Sequence, residues 1–319
     1  MDFGKVMYKN TVKFPEFDPV LRRERLKLPQ GRVSVVLDTD TFNEIDDQFA
    51  VTFALLSPEK TDVKAICAAP FFNINSVSPT DGMEKSYEEI LRLLKLLDKE
   101  SSLAVRGSET YLPDRNTPVK SDAVNKIIEC ANECAARNEV LYILAFGAIT
   151  NVASALLTDP ELVKKAVVIW LGGHPVYWKP NNEFNWRQDI PAAQVLFSSG
   201  IPLIQIPCLT VASSLLLSRC ELEKYCEPCG KIGKFLAERV YAALGSERET
   251  RIIWDISTVA LCVCDANAIN AEIVHTPNVN DDGSYGSSDG NPEMLRIRYL
   301  DRDPIFREFF RKLKERTGI

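Results

Sequence analysis

Short runs of β-branched and apolar residues recur along this chain, and nearly every one is followed by a stretch with helical periodicity. Residues 33–37 (Val-Ser-Val-Val-Leu) are the clearest such run. Too short for helices and apolar on both faces, these runs read as buried strands. The pattern predicts strands at 33–37, 63–69, 103–105, 140–146, 166–171, 202–207 and 295–299, with helices at 46–57, 87–97, 122–136, 151–157 and 303–314. Strands that alternate with helices form βαβ units, which give a mostly parallel sheet covered on both faces. Right-handed crossovers then leave an open, doubly wound α/β fold, with helices on both faces of the sheet, as the expected architecture. No internal repeat or low-complexity linker divides the chain. A single domain over 1–319 is expected, with 1–30 as an N-terminal extension.

Of the 319 residues 45% are hydrophobic and 26% charged, enough apolar mass for a large core and too much for a disordered chain. The net charge of −6 and the lack of a long Lys/Arg block argue against nucleic acid as a partner. The short basic run at 21–27 is interrupted by Glu24 and reads as a solvated face. No stretch reaches the roughly 18 apolar residues that span a bilayer. Met1-Asp2-Phe3-Gly4-Lys5 has an early acid and no apolar region, so no secretory leader is expected there. Nine cysteines without a leader read as reduced thiols in the cytoplasm. Cys226 and Cys229, with Cys220 upstream, have the spacing of a redox or zinc motif. No second pair at zinc-ribbon spacing accompanies them, and His174 and His275 lie far off in sequence, so a plain thiol cluster is the expectation.

Ligands of such sheets bind beyond the carboxyl ends of the strands, so the segments that follow each strand carry the chemistry. After the first strand the residues from 38 to 47 include five carboxylates: Asp38, Asp40, Glu44, Asp46 and Asp47. No Lys or Arg occurs between Arg32 and Lys60. At the tip of a buried strand such crowding raises carboxyl pKa values and costs several kcal/mol unless a cation resides there. Oxygen-only ligands select a hard ion, Ca²⁺ or Mg²⁺, over zinc. As alternatives, Asp46 and Asp47 serve as helix N-terminal charges and Asp38 as a turn former, which accounts for two or three of the five. There is no Gly-rich phosphate loop. An EF-hand is excluded by Phe42 and Asn43 at its fifth and sixth positions. An aspartate-nucleophile phosphatase, with Asp38 as nucleophile and Asp40 as acid, leaves Asp46-Asp47 without a task.

A first strand that ends in Asp-x-Asp, then a short loop and Asp-Asp at a helix start, resembles the calcium-dependent nucleoside hydrolases of the inosine-uridine preferring type. Other segments agree in order: Phe72-Asn73, Val105-Arg106-Gly107 with Tyr111-Leu112-Pro113, Phe146-Gly147-Ala148-Ile149-Thr150-Asn151, Leu171-Gly172-Gly173, Glu183-Phe184-Asn185 through Asp189 to Ala193, and Trp254-Asp255. The likeness covers about residues 31–275. It implies a nucleoside hydrolase-like fold and hydrolysis of the N-glycosidic bond of ribonucleosides to ribose and free base, in purine or pyrimidine salvage. It also implies a small-molecule nucleoside as partner and a homo-oligomer, dimer or tetramer. By this resemblance Asp40, Asp47, Asp255 and the backbone carbonyl of Phe146 hold Ca²⁺. The ion also binds the ribose 2′- and 3′-hydroxyls and a water. Asp40 takes the proton of that water as it attacks C1′. Asp46 bonds the 2′-hydroxyl, Asn73 lies near the sugar, and Glu183 and Asn185 grip its 5′ side. Carboxylates suit an oxocarbenium-like transition state because they stabilise its developing positive charge.

Each of these residues also has a purely structural reading. Glu183 to Asn185 could be turn chemistry, Asn73 a turn cap, and Asn151 and Asp255 helix caps. The chain departs from the family in several places. Five residues separate Asp40 from Asp46 where three are usual, which brings Asn43 or Glu44 toward the site. Trp254 stands where a His is expected, and Tyr177 where an Asn is. His174 is then the substitute leaving-group acid, or Trp254, Tyr177 and Trp178 stack on the base. A calcium-dependent ribose-binding protein without turnover is the alternative function, and the phosphatase is the third.

Overall fold

The structure, a computed structural model, describes residues 12–246 and 248–318. The Met1–Lys5 segment and the first part of the 1–30 extension lie outside them. The strands are β1 (Val33–Thr39), β2 (Thr61–Ala68), β3 (Ala104–Val105), β4 (Leu141–Ala145), β5 (Ala166–Leu171), β6 (Leu203–Ile206), β7 (Leu216–Ser218), β8 (Thr250–Ile252), β9 (Ile269–His275) and β10 (Glu293–Leu300). Eight of them form one sheet in the order β3-β2-β1-β4-β5-β6-β10-β9. Every neighbouring pair is parallel except β9–β10. This is the doubly wound α/β sheet expected, with an antiparallel strand added at one edge. From β1 the chain steps outward through β2 and β3, then returns to β4 and proceeds the other way. The carboxyl ends of β1 and β4 therefore flank the switch point, where such sheets open a crevice.

The strand pleat divides the core between the two faces. Val35 and Leu37 pack into one apolar cluster and Val36 into the other, as the alternation of side chains along a strand requires. Both faces are covered, so between Ser34 near its start and Asp38-Thr39 at its end β1 is wholly apolar. Each fully buried Val, Leu or Ile contributes about 1.5–3 kcal/mol relative to an exposed one. That is what holds the acidic strand tip in place.

Several boundaries differ from expectation for local reasons. The helix expected from Tyr87 runs Pro79–Leu96: Ser78 accepts a hydrogen bond from the Asp81 amide and Pro79 occupies the first turn, a start signal that outweighs the weak early periodicity. The Ile190–Ser199 and Gly230–Leu244 helices, the β7–β8 ribbon and the edge strand β9 were not expected. The basic run is not a uniformly solvated face. It forms the Pro19–Arg25 helix, and Arg22 within it is buried, its guanidinium donating to the Gly200 carbonyl at 2.6 Å.

The tips of the central strands are tied by Asn151, which is not a helix cap. It lies inside the Thr150–Thr158 helix, and its amide nitrogen donates to Asp38 Oδ1 (2.8 Å) and to the Ala68 carbonyl (3.2 Å). Its amide oxygen accepts from the Ser108 N–H at 2.8 Å. Gly107 closes the same knot, since a Cβ there would stand 1.7 Å from the Ala68 carbonyl oxygen and 2.7 Å from Asn151 Nδ2. Backbone and side chain both obstruct, so Gly107→Ala is expected to destabilise the fold by about 3 kcal/mol. Urea unfolding checks this, and a midpoint unchanged from the parent would show that the strand tips can separate freely.

Candidate functional site

Beyond the switch point lies a cavity of about 390 Å³, a size that suits a small organic ligand. Asp40, Asp46 and Asp255 line it on one side, with Phe146 at the end of β4. Glu183 and Asn185 line it on another, and Asn73 and Trp254 complete the wall. The fold therefore gathers every expected site residue around one cavity, save Asp47, which sits just behind it.

The acidic side is built by β1 and the helix that follows. Asp47 is the first residue of the Asp47–Leu55 helix. Asp46 precedes it without using its carboxylate as a cap. The Asp255 side chain likewise makes no capping bond to the Ile256–Val263 helix, so both acids are left for the cavity. Carboxylate oxygens of Asp46, Asp47 and Asp255 all lie within 4.8 Å of one another. Thr39 Oγ1 donates to Asp47 Oδ1 at 2.5 Å, and the Trp254 N–H to Asp46 Oδ2 at 2.9 Å. Asp40 Oδ2 is buried and has no partner.

Burial and mutual repulsion push all four carboxyls up. Asp46 is raised to about 6 and Asp47 to about 8, each first by desolvation and next by a neighbouring carboxylate, Glu44 and Asp46 respectively. Asp40 and Asp255 are also raised by desolvation, then by their acidic neighbours. Partial relief comes from Arg251 on β8, which ion-pairs with Glu44 and draws Asp46 down. One half-exposed guanidinium cannot neutralise four buried acids. The donor set is all oxygen and anionic, with an orphaned carboxylate oxygen, and it fits a hard divalent cation.

The longer loop is clamped from outside the cavity. Gln48 Nε2 donates to the Thr41 carbonyl at 2.8 Å and to Glu89 Oε1 at 3.2 Å. Glu89, buried, pairs with Arg239, whose guanidinium lies 5.5 Å over the Phe42 ring. The additional residues thus have a built seat, and they do bring Asn43 and Glu44 to the cavity wall. Asn43 Oδ1 accepts from Asn73 Nδ2 at 2.5 Å. Asn73 Oδ1 accepts from the Asn75 amide at 2.8 Å, so Asn73 both caps a turn and faces the site.

On the opposite wall Glu183 is the N-cap of a short helix, Phe184–Gln188, rather than part of an irregular turn. It accepts from the Asn185 and Trp186 amides, both at 2.9 Å, and from the Gly173 N–H at 3.0 Å. Desolvation raises its pKa against these bonds. Asn185 Nδ2 donates to the Leu171 carbonyl at 3.0 Å. Asp189, from the same motif, works structurally: it caps the Ile190–Ser199 helix and accepts from the Leu112 N–H and from Thr150 Oγ1.

Three expectations are corrected. Asp38 is fully buried, does not line the cavity, and is held by Asn151. Buried and held by Asn151 away from the cavity, it has no access as a phosphatase nucleophile. Tyr177 and Trp178 also do not line the cavity: Tyr177 is exposed, with its hydroxyl on Thr210 Oγ1 at 3.1 Å. His174 does line it, with burial lowering its pKa, so the ring is neutral near pH 7 and a poor acid there. Cys208 and Asn182 are cavity residues that no sequence pattern singled out. The Cys226 and Cys229 thiols are remote from the cavity, donating to the Gly233 and Tyr225 carbonyls.

Comparison with known proteins bears on the family and the fold. The family model of the inosine-uridine preferring nucleoside hydrolases matches residues 35–292. The pyrimidine-specific ribonucleoside hydrolase RihA of Escherichia coli O9:H4 (strain HS) is 31% identical over 195 residues. That alignment covers 53% of this chain and 58% of the relative's length. RihA of Salmonella paratyphi B is 28% identical over 230 residues, which are 64% of this chain and 69% of that one. Among solved structures, the purine-preferring ribonucleoside hydrolase from Gardnerella vaginalis superposes with a TM-score of 0.72 at 21% identity, covering 89% of this chain and 99% of the other. A plant nucleoside hydrolase, PpNRh1, gives a TM-score of 0.68 at 19% identity, with 88% and 98% covered.

The cavity acids hold their protons more tightly folded than unfolded, so the folded chain binds more protons above about pH 4, their unfolded range. Without a cation, stability is therefore lost as pH rises through the folded values, about 6 for Asp46 and about 8 for Asp47. His174, lowered, acts in the opposite sense but is a single group. In the presence of a chelator the melting temperature is expected to fall between pH 5 and pH 8, and millimolar Ca²⁺ to abolish the decline. A chelated protein equally stable at both pH values would contradict a buried, uncompensated acid cluster.

Proposed function

We propose that this chain, which belongs to the inosine-uridine preferring nucleoside hydrolase family, hydrolyses the N-glycosidic bond of ribonucleosides to ribose and free base, and that it uses Ca²⁺. One observation carries this reading: four carboxylates converge beyond the switch point, in a cavity whose far wall is Glu183 and Asn185. Asp40, Asp47, Asp255 and the Phe146 carbonyl would hold the ion, with Asp46 in the same cluster. When bound, the ion offsets the carboxylate charge and lowers the pKa of a water that it holds.

The remaining work falls to the chain's own groups. Asp40 Oδ2, buried and unpartnered, accepts a proton from the attacking water. Asp46 and Asp255 accept from sugar hydroxyls, which fixes the anomeric carbon against that water. As the C1′–N bond lengthens, positive charge develops on the sugar and the surrounding carboxylates stabilise it. Glu183 and Asn185, each pinned by backbone hydrogen bonds, bind the sugar's 5′ side without reorganising, and Asn73 lies near the ring. Trp254 and Phe184 offer flat faces to the base. Trp254 cannot donate the proton that a His could, so stacking is the contribution left at that position.

All nine cysteines are free thiols, in keeping with a reducing, cytoplasmic location, and a role in nucleoside salvage accompanies the reading by family likeness. Among the described residues no helix is long and apolar enough to cross a membrane. A homo-oligomer, dimer or tetramer, accompanies the reading by family likeness.

The test is release of reducing sugar from a panel of purine and pyrimidine nucleosides, with and without chelator. Chelator-sensitive release is expected, and Asp40→Asn should lower its rate by about 10²–10⁴-fold with an unchanged circular dichroism spectrum. Parent-like rates in Asp40→Asn would sink the mechanism. Saturable nucleoside binding without release would convert the reading to a binding protein.

A further inference from the structure

A second cleft, of about 620 Å³, lies between the turn of π-helix Leu222–Cys226 and the Arg302–Thr317 helix. None of its lining residues lines the acidic cavity. A π-turn inserts an additional residue per turn and is favoured where a side chain must be re-aimed for function. Here it presents Tyr225, which is 43% exposed, to Phe310 at 5.4 Å between ring centroids. Phe310 in turn stacks on Phe306 at 6.0 Å, with 25° between the planes. The result is an aromatic wall open to solvent on one side.

Charge along the cleft is opposite in sign to that of the whole chain. Its lining carries five cations and two carboxylates, on a protein of net charge −6. Arg302 is occupied by Glu221 at 2.6 Å and by Asp303, and Arg311 by Glu308 and Glu315. Arg307 and Lys314 are exposed, and among the described residues no ion pair engages either. At a spacing of seven they share one side of the helix with Arg311 between them, beside the Phe306/Phe310 row. The Lys224 ammonium lies 4.9 Å from the centre of the Tyr225 ring.

We propose that this cleft binds a nucleoside monophosphate: the base stacks against Tyr225 and Phe310, and the phosphate is held by Arg307 and Lys314. A flat ring meets an aromatic wall favourably whatever its hydrogen-bonding edge, and a phosphate dianion takes charge-assisted bonds from a guanidinium and an ammonium. A neutral nucleoside satisfies only the first half of the site and inorganic phosphate only the second. An acidic peptide without an aromatic side chain satisfies only the charged half. The site stands independently of whether the acidic cavity hydrolyses nucleosides.

Isothermal titration of the full chain with AMP, adenosine and inorganic phosphate, in chelator and at low salt, tests it. One AMP per chain is expected, bound at least about tenfold more tightly than either adenosine or phosphate and weakened by added salt. The double substitution Arg307→Ala/Lys314→Ala should reduce AMP affinity by about tenfold or more, and Tyr225→Ala by a similar factor. The two basic side chains are exposed, so the melting temperature of the double variant should match the parent's. Three results would overturn the proposal: no saturable AMP binding, phosphate binding as tight as AMP, or AMP affinity indifferent to the double variant. A parent oligomer that the double variant dissociates would do the same, because the cleft would then be a subunit contact.

Discussion

Burial of like charge at the end of β1 is the constraint on which this structure turns. Asp40, Asp46, Asp47 and Asp255 are all removed from water within one small volume, an arrangement that repels itself. A folded chain can sustain it only if something rigid holds the acids together and either bound protons or a cation offset their charge. The rigidity comes from the sheet. The middle of β1, Val35 to Leu37, is apolar on both faces, and β2 and β4 flank it in parallel register. The acids are thus mounted on the part of the molecule least able to relax away from them.

Much of the polar architecture around the cavity serves the same end. Asn151 ties three strand tips together, Gly107 lets two of them approach, and Glu183 gathers three backbone amides from two segments. The Gln48–Glu89–Arg239 network braces the loop from behind. None of these groups is arranged to neutralise the acids. Among the described residues Arg251 alone approaches that role, and it does so through Glu44 at the rim. The absence of basic residues between Arg32 and Lys60 therefore carries into three dimensions, where the field at the cavity stays negative. That favours a cation, sugar hydroxyls and a positively charged transition state.

How legible each part was depends on the range of the interaction that determines it. The strands from β1 to β6 were readable, because burial on both faces imposes an apolar run that few other structures need; their order in the sheet, and so the switch point, was not. Edge strand β9 was not: it is half exposed, and its pairing partner β10 lies about twenty residues away. The Pro79–Leu96 helix was read short because its first turn is defined by a cap rather than by periodicity. The acids clustered in sequence, except Asp38 and Asp47, come to line one cavity with the site residues of the family pattern. Cys208 and Asn182 carry no such mark, and they reach the cavity only because the segments bearing them pass its wall.

What the sequence determined by itself is the local chemistry: apolar strands that must be buried, and five carboxylates at the tip of the first with no basic residue near them along the chain. Those facts call for a sheet covered on both faces and mark the strand tip as a place suited to a hard cation. Tertiary structure alone decided which of the acids meet. Asp38 and Asp40 are two residues apart, yet one is held inside the fold by Asn151 while the other faces the cavity. Asp255 joins Asp46 and Asp47 from over two hundred residues away. Sequence spacing sets which side chains can share a strand face, but convergence of distant segments on one point depends on how the sheet is wound and packed.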